Sequence, residues 1–175
     1  MSKIDKIITR RGFLKNAGAR SAGSVLGAAG SVAQASQKSA SDKKRIIPKR
    51  PYGKTGVNVS ILSLGGVLGM SDQLIFRQAF NMGVTYWDTA DSYGWGKNEK
   101  AIGKYFSKYP QHRKKVFLVT KSATSDPKEL SLKLDRSLEK MNTDYVDMYF
   151  LHYVKDVTEE LTPDVKEWAE QAKSK

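Results

Sequence analysis

The 175-residue chain has room for about one ordinary domain, and its 39% hydrophobic and 10% aromatic content suits a packed core rather than a disordered chain. It has no cysteine, which excludes disulfides, Cys-ligated zinc, iron–sulfur clusters and thiol nucleophiles within it, and no run reaches the roughly 18 apolar residues of a membrane-spanning helix. The net charge of +12 points towards nucleic acid until it is located: residues 1–35 and 36–51 each carry six Lys/Arg against one Asp, and residues 52–175 carry only +2, so no nucleic-acid partner is expected for the folded part.

The first element is a leader. TRRGFLK (residues 9–15) precedes a weakly hydrophobic Ala/Gly/Ser-rich stretch that ends at Ala33-Gln34-Ala35. A charged start, an apolar middle and a small-x-small end make a secretory signal, with a disordered basic tail as the alternative. The pair Arg10-Arg11 followed by Phe13 and Leu14 resembles the bacterial twin-arginine (Tat) signal, although Arg20 confines the apolar stretch to about residues 21–33. That resemblance implies a signal peptide over 1–35, engagement of the Tat translocase during export, and a periplasmic or otherwise extracytoplasmic mature chain without a membrane span. Residues 36–49 are polar and basic and read as a flexible linker.

Regular patterning begins at residue 50. RPYGKTGVNVS places a Gly-Lys-Thr-Gly turn between two short β-prone runs, which predicts a hairpin. Four apolar β-type runs follow, at 60–66, 85–90, 116–122 and 145–152, each with a helical pattern after it. Ser71 is the expected cap of a helix through Met82, closed by Gly83, and Asn98 the expected cap of the next. Asp126-Pro127 with Glu129, and later Thr162-Pro163, carry the marks of two further helix starts. Strand–helix units at this spacing predict a parallel sheet with crossover helices, either an open doubly wound sheet or part of a (β/α)8 barrel. The dinucleotide fingerprint G-x-G-x-x-G is missing after the first strand, where the sequence reads SLGGVLG, and this weakens the open-sheet reading.

Three of the runs end in a reactive side chain: Asp88, Lys121 and His152, with Tyr93 in the loop after the second. Taken singly, each has an ordinary explanation: a capping carboxylate, a solvated lysine, a hydrogen-bonded histidine, a packed tyrosine. In a βα barrel, however, the C-terminal strand ends face one mouth, where residues distant in sequence converge.

The segments GVTYWDTADSYGWGKNEKAIG (83–103), VFLVTKS and DYVDMYFLHY resemble the aldo/keto reductase family from about residue 50 onward. The resemblance implies a (β/α)8 TIM barrel, of which residues 50–175 would form the N-terminal half: a β-hairpin and about four βα units. It implies an NADP-dependent oxidoreductase that reduces aldehydes or ketones, with Asp88, Tyr93, Lys121 and His152 as its catalytic tetrad and NADP(H) as cofactor. Phenols titrate at about 10, too high for easy proton exchange near neutrality, and a neighbouring ammonium favours the phenolate. On this reading Tyr93 donates the proton, Lys121 tunes it, Asp88 orients Lys121, and His152 hydrogen-bonds the carbonyl oxygen. Asp88 and Gly66 would touch the cofactor, Trp95 and Tyr153 would line the pocket for a small carbonyl substrate, and no metal is called for. Trp87 is expected in the core and His112 on the surface. The glycine loop before Glu99 is a few residues longer than in some family members, a difference that bears on pocket shape. With four units against the family's eight, the chain is expected to be part of a longer barrel. The alternative is a non-catalytic half-barrel module that folds only with a partner half.

Overall fold

The computed structural model describes residues 46–174; the expected signal peptide and most of the expected linker lie outside the described residues. The first element among the described residues is a hairpin, β1 (Lys49–Pro51) antiparallel to β2 (Asn58–Ser60), around the expected Gly-Lys-Thr-Gly turn. Strand β1 starts at Lys49, and Ile47 N–H already donates to Met82 O at 2.8 Å.

Four strands then form one parallel sheet in the order β3 (Ser63–Gly65), β4 (Tyr86–Asp88), β5 (Phe117–Ser122), β6 (Met148–Leu151). Between and after them lie α1 (Gln73–Asn81), α2 (Lys97–Lys108), a 3₁₀ turn at Pro110–Lys115, α3 (Pro127–Met141), a short α4 (Val157–Glu160) and α5 (Pro163–Lys173). Consecutive strands that neighbour in sequence order, each followed by a helix, build a partial TIM barrel; a doubly wound sheet would reverse its strand order. Among the described residues no helix is long and apolar enough to cross a membrane.

Two helix starts are as the sequence implies. Asp126 accepts from Glu129 N–H at 2.8 Å with Pro127 at the first turn, and Thr162 accepts from Val165 N–H at 3.3 Å ahead of Pro163. The other two differ. Asp72, not Ser71, caps α1 by accepting from Leu74 N–H at 2.8 Å. Helix α2 begins at Lys97 after Gly96, whose φ of 78° turns the chain into the helix ahead of the expected cap. Asn98 therefore sits inside the first turn, buried, and its amide donates to Met70 O at 2.6 Å, tying α2 to the β3–α1 loop.

The two-residue alternation of the strands sorts the core. Trp87 and Leu118 point to the helices and pack with Phe76, Ile102, Tyr105, Phe106 and Met141. Trp87 is thus a core residue, as expected. Phe117 and Val119 point the other way, with Tyr86 and Met148, toward what is the barrel interior in this fold. Tyr52 of the hairpin closes the lower end of that face, its ring centroid 5.4 Å from Phe117 and 6.1 Å from Tyr86. The C-terminal ends of β3–β6 lie at the opposite end of the sheet.

His112 is not the surface residue expected. Its ring stacks on Phe80 at 3.7 Å, and Tyr105 OH meets Nδ1 at 2.9 Å. Burial, with Lys115 nearby, holds its pKa below the ordinary value.

Helices α2 and α3 approach closely at Gly103, where an added Cβ would overlap the carbonyl oxygen of Lys140. Backbone cannot yield as a flexible side chain can. Gly103→Ala should therefore destabilise the chain by about 1–3 kcal/mol through overpacking, outweighing the roughly 1 kcal/mol gain in helix propensity. The denaturant midpoint reads this directly; a higher midpoint would mean that the helices separate at no cost.

Candidate active site

The inner-face alternation that carries Phe117 and Val119 continues to Lys121, and on β4 it carries Tyr86 and then Asp88. Asp88 is level with Val119, and Lys121 lies two residues further toward the mouth, level with Phe150 of β6. His152 follows β6 on the same face, and its N–H extends the ladder by donating to Ser122 O at 2.9 Å.

Tyr93 arrives from the β4–α2 loop. Tyr93 N–H donates to Ala90 O at 3.1 Å and Trp95 N–H to Ser92 O at 3.0 Å, so the loop is a succession of tight turns. Gly94 (φ 58°) lies against Gly69, where an added Cβ would stand 2.9 Å from the Gly69 Cα. Close backbone approach is why this loop carries a glycine directly after the tyrosine.

The four residues meet. Lys121 Nζ donates to Asp88 Oδ1 at 2.7 Å, to the carbonyl of Thr89 at 2.6 Å, and to Tyr93 OH at 3.3 Å. Three donors thus have three acceptors, with the Lys121 side chain only 13% exposed. The ammonium also lies 4.6 Å from the Tyr93 ring centroid. The Tyr93 and His152 rings meet edge to face, centroids 5.6 Å apart. His152 has its pKa lowered, first by burial and then by the Lys121 ammonium, against the opposing pull of Asp91 and Asp88. A lowered pKa leaves a neutral imidazole at neutral pH, able to donate one N–H.

Tyr153 is brought to the site, its ring stacked on His152 at 3.8 Å. Trp95 stands in the Tyr93 loop but is 96% exposed, and no ring contact joins it to the four among the described residues. Gly66 is buried, its N–H donates to Asp88 O at 2.8 Å, and an added Cβ would overlap the Asn98 amide. Its lack of a side chain has a packing cause. The neighbouring Gly65 pairs with Asp88 across the sheet, and an added Cβ there would meet nothing within 4 Å.

Two parts of the site escaped the sequence reading. The Thr89 carbonyl on Lys121 is backbone and leaves no residue signal. Glu99 is fully buried, accepts from Thr120 Oγ1 at 2.8 Å and pairs with Lys140 at 3.2 Å. It fixes the end of β5 beside Lys121 to both α2 and α3. The available signal was Thr120, a hydroxyl at a helix-facing position of an otherwise apolar strand.

Residues 71–173 match the model of the aldo/keto reductase family. The chain belongs to this family. An uncharacterized oxidoreductase, YrpG, of Bacillus subtilis is 36% identical over 126 residues, covering 58% of this chain and 39% of its own length. The aldo-keto reductase yakc [NADP(+)] of Schizosaccharomyces pombe is 31% identical over 125 residues, covering 61% of this chain and 36% of its own. The solved aldo-keto reductase AKR11C1 from Bacillus halodurans, in its holo form, superposes with a TM-score of 0.60 at 25% identity over 72% of this chain and 47% of that one. The chain therefore spans less than half the length of these aldo/keto reductases.

Proposed function

We propose that Asp88, Tyr93, Lys121 and His152 form the proton-donating side of a carbonyl reductase site that converts an aldehyde or ketone to an alcohol with NADP(H). The observation that carries this reading is the Lys121 ammonium in contact with both the Asp88 carboxylate and the Tyr93 hydroxyl. NADPH, when bound, supplies the hydride for the carbonyl carbon. The Tyr93 hydroxyl gives its proton to the carbonyl oxygen, so Tyr93 is left as a phenolate. Lys121, at 3.3 Å, stabilises the charge that develops there. Asp88 and the Thr89 carbonyl hold the ammonium in place, so no reorganisation accompanies the proton transfer. The neutral His152 imidazole offers an N–H to the same carbonyl oxygen.

The residues present fit the edge of a cofactor seat. The inner face is open over Gly65, directly beside Asp88, which suits a flat ring. Gly66 and Asp88 would border it, and Trp95 and Tyr153 would wall the substrate side. The activity belongs to a closed barrel in which further strands pair with β3 and β6. The test is made in a full barrel, by joining the chain to the C-terminal half of a related aldo/keto reductase. With 4-nitrobenzaldehyde, each NADPH consumed should yield one molecule of 4-nitrobenzyl alcohol. No alcohol from a folded, NADPH-binding barrel would refute the reading.

The leader supports a further proposal: residues 1–35 direct export by the Tat translocase, and the mature chain works outside the cytoplasm. Arg10→Lys with Arg11→Lys keeps the charge and removes the arginine pair. A reporter fused after residue 40 should be exported behind the parent leader and retained behind the double variant. Equal export of the two would point to the general secretory route.

A further inference from the structure

Among the described residues three side chains other than glycine sit on left-handed backbone: Trp95, Asn142 and Tyr153. Asn142 ends α3, where asparagine is well tolerated. Tyr153 is different: a bulky residue at φ 61°, directly after the last ladder bond of β6. That turn lays its ring on the neighbouring imidazole, centroids 3.8 Å apart and planes within 20°. Most of the tyrosine stays exposed, at 68%. The buried Nδ1 of His152 has no hydrogen-bond partner among the described residues. A functional histidine is usually oriented by a hydrogen bond to its second nitrogen. Two rings meet the imidazole: Tyr153 is stacked on it and Tyr93 meets it at 76°.

We propose that Tyr153 is a positioning residue for His152: its ring, delivered by the left-handed turn, fixes the imidazole plane against Tyr93. The strained backbone then has a purpose that a pocket-lining role would not require, since an extended backbone could also present a tyrosine to the mouth. The relevance to catalysis rests on the reductase reading, but the contact can be tested without it. The charged groups acting on the imidazole are Lys121, Asp91 and Asp88, and none lies on the segment to be changed.

The chain has two histidines, so proton NMR of the imidazoles in the full 175-residue protein resolves His112 and His152, with His112→Asn for assignment. In the parent, the His152 ring protons should be displaced upfield by the Tyr153 ring. Tyr153→Phe should keep the displacement. Tyr153→Leu should lose most of it and raise the His152 titration midpoint toward the ordinary value, because the covering ring that desolvates the imidazole is gone. The stacked His112 should stay in place and report that the fold is intact. The proposal is overturned by a parent His152 at the position of a free histidine, by a Leu variant with unchanged His152 shifts, or by loss of the displacement in the Phe variant while His112 holds. Inactivity of the completed barrel, with the His152 displacement intact in the 175-residue protein, would count against the reductase reading and leave the positioning contact standing.

Discussion

Replacing Lys121 by methionine should lower carbonyl reduction in the full barrel by roughly 10²–10⁴-fold, the usual contribution of general acid catalysis. Methionine has a similar reach and no charge. It withdraws the donor from Tyr93 OH, and Asp88 loses the ion pair at 2.7 Å. The phenolate that proton transfer creates would then stand without a counter-charge beside a half-buried carboxylate, which opposes the transfer. Lys121→Arg should fall between. It restores charge, but a planar fork cannot place one point charge against three oxygens on three sides. Turnover should suffer more than substrate affinity, because the contact matters only as charge develops. An unchanged rate in the methionine variant would separate Lys121 from the chemistry.

Arg113→Ala should cost about 1–3 kcal/mol through the buried Val116 carbonyl it leaves short of a donor, with a smaller loss at the solvent-accessible Asp147 carboxylate, and most domains have only about 5–15 kcal/mol in total. Arg113 is buried in the 3₁₀ turn and ties four places together. Its Nε donates to Thr143 Oγ1 at 2.8 Å, Nη1 to Val116 O at 2.9 Å, and Nη2 to Tyr145 O at 2.9 Å and Asp147 Oδ2 at 3.0 Å. The guanidinium also lies 3.7 Å from the Tyr145 ring centroid. Asp147 Oδ2 in turn accepts from Leu118 N–H at 2.8 Å, so the arginine stabilises the start of β5 and the approach to β6 at once. Alanine leaves two carbonyls and a carboxylate short of a donor. The denaturant midpoint should drop clearly below the parent's. A midpoint equal to the parent's would show that water replaces the arginine at no cost.

Much of the fold is legible in the chain because its signals are local. Apolar runs mark the strands, Asp126-Pro127 and Thr162-Pro163 mark helix starts, and Gly83 (φ 81°) marks a helix end. The convergence of Asp88, Lys121 and His152 is also legible, since strand ends in a parallel sheet share one side. The misread features depend on packing that spacing does not encode. Ser71 and Asp72 are both good caps, and only the path of the β3–α1 loop decides which meets Leu74 N–H. Asn98 is a cap by type, but the left-handed Gly96 moves the helix start past it. His112 reads as surface in a run of lysines and arginine, yet the 3₁₀ turn folds it onto Phe80. Glu99 reads as one more helical charge until Thr120 and Lys140 close around it.

The phenolic oxygen of Tyr93 is the atom on which the proposed chemistry turns. Phenylalanine removes that oxygen and keeps the ring that meets His152 at 5.6 Å. The decisive measurement is NADPH oxidation with 4-nitrobenzaldehyde by the full barrel carrying Tyr93→Phe, beside the parent. The expected result is a rate lower by roughly 10²–10⁴-fold with an unchanged denaturant midpoint. A phenylalanine variant that turns over at the parent rate would contradict the assignment of Tyr93 as proton donor.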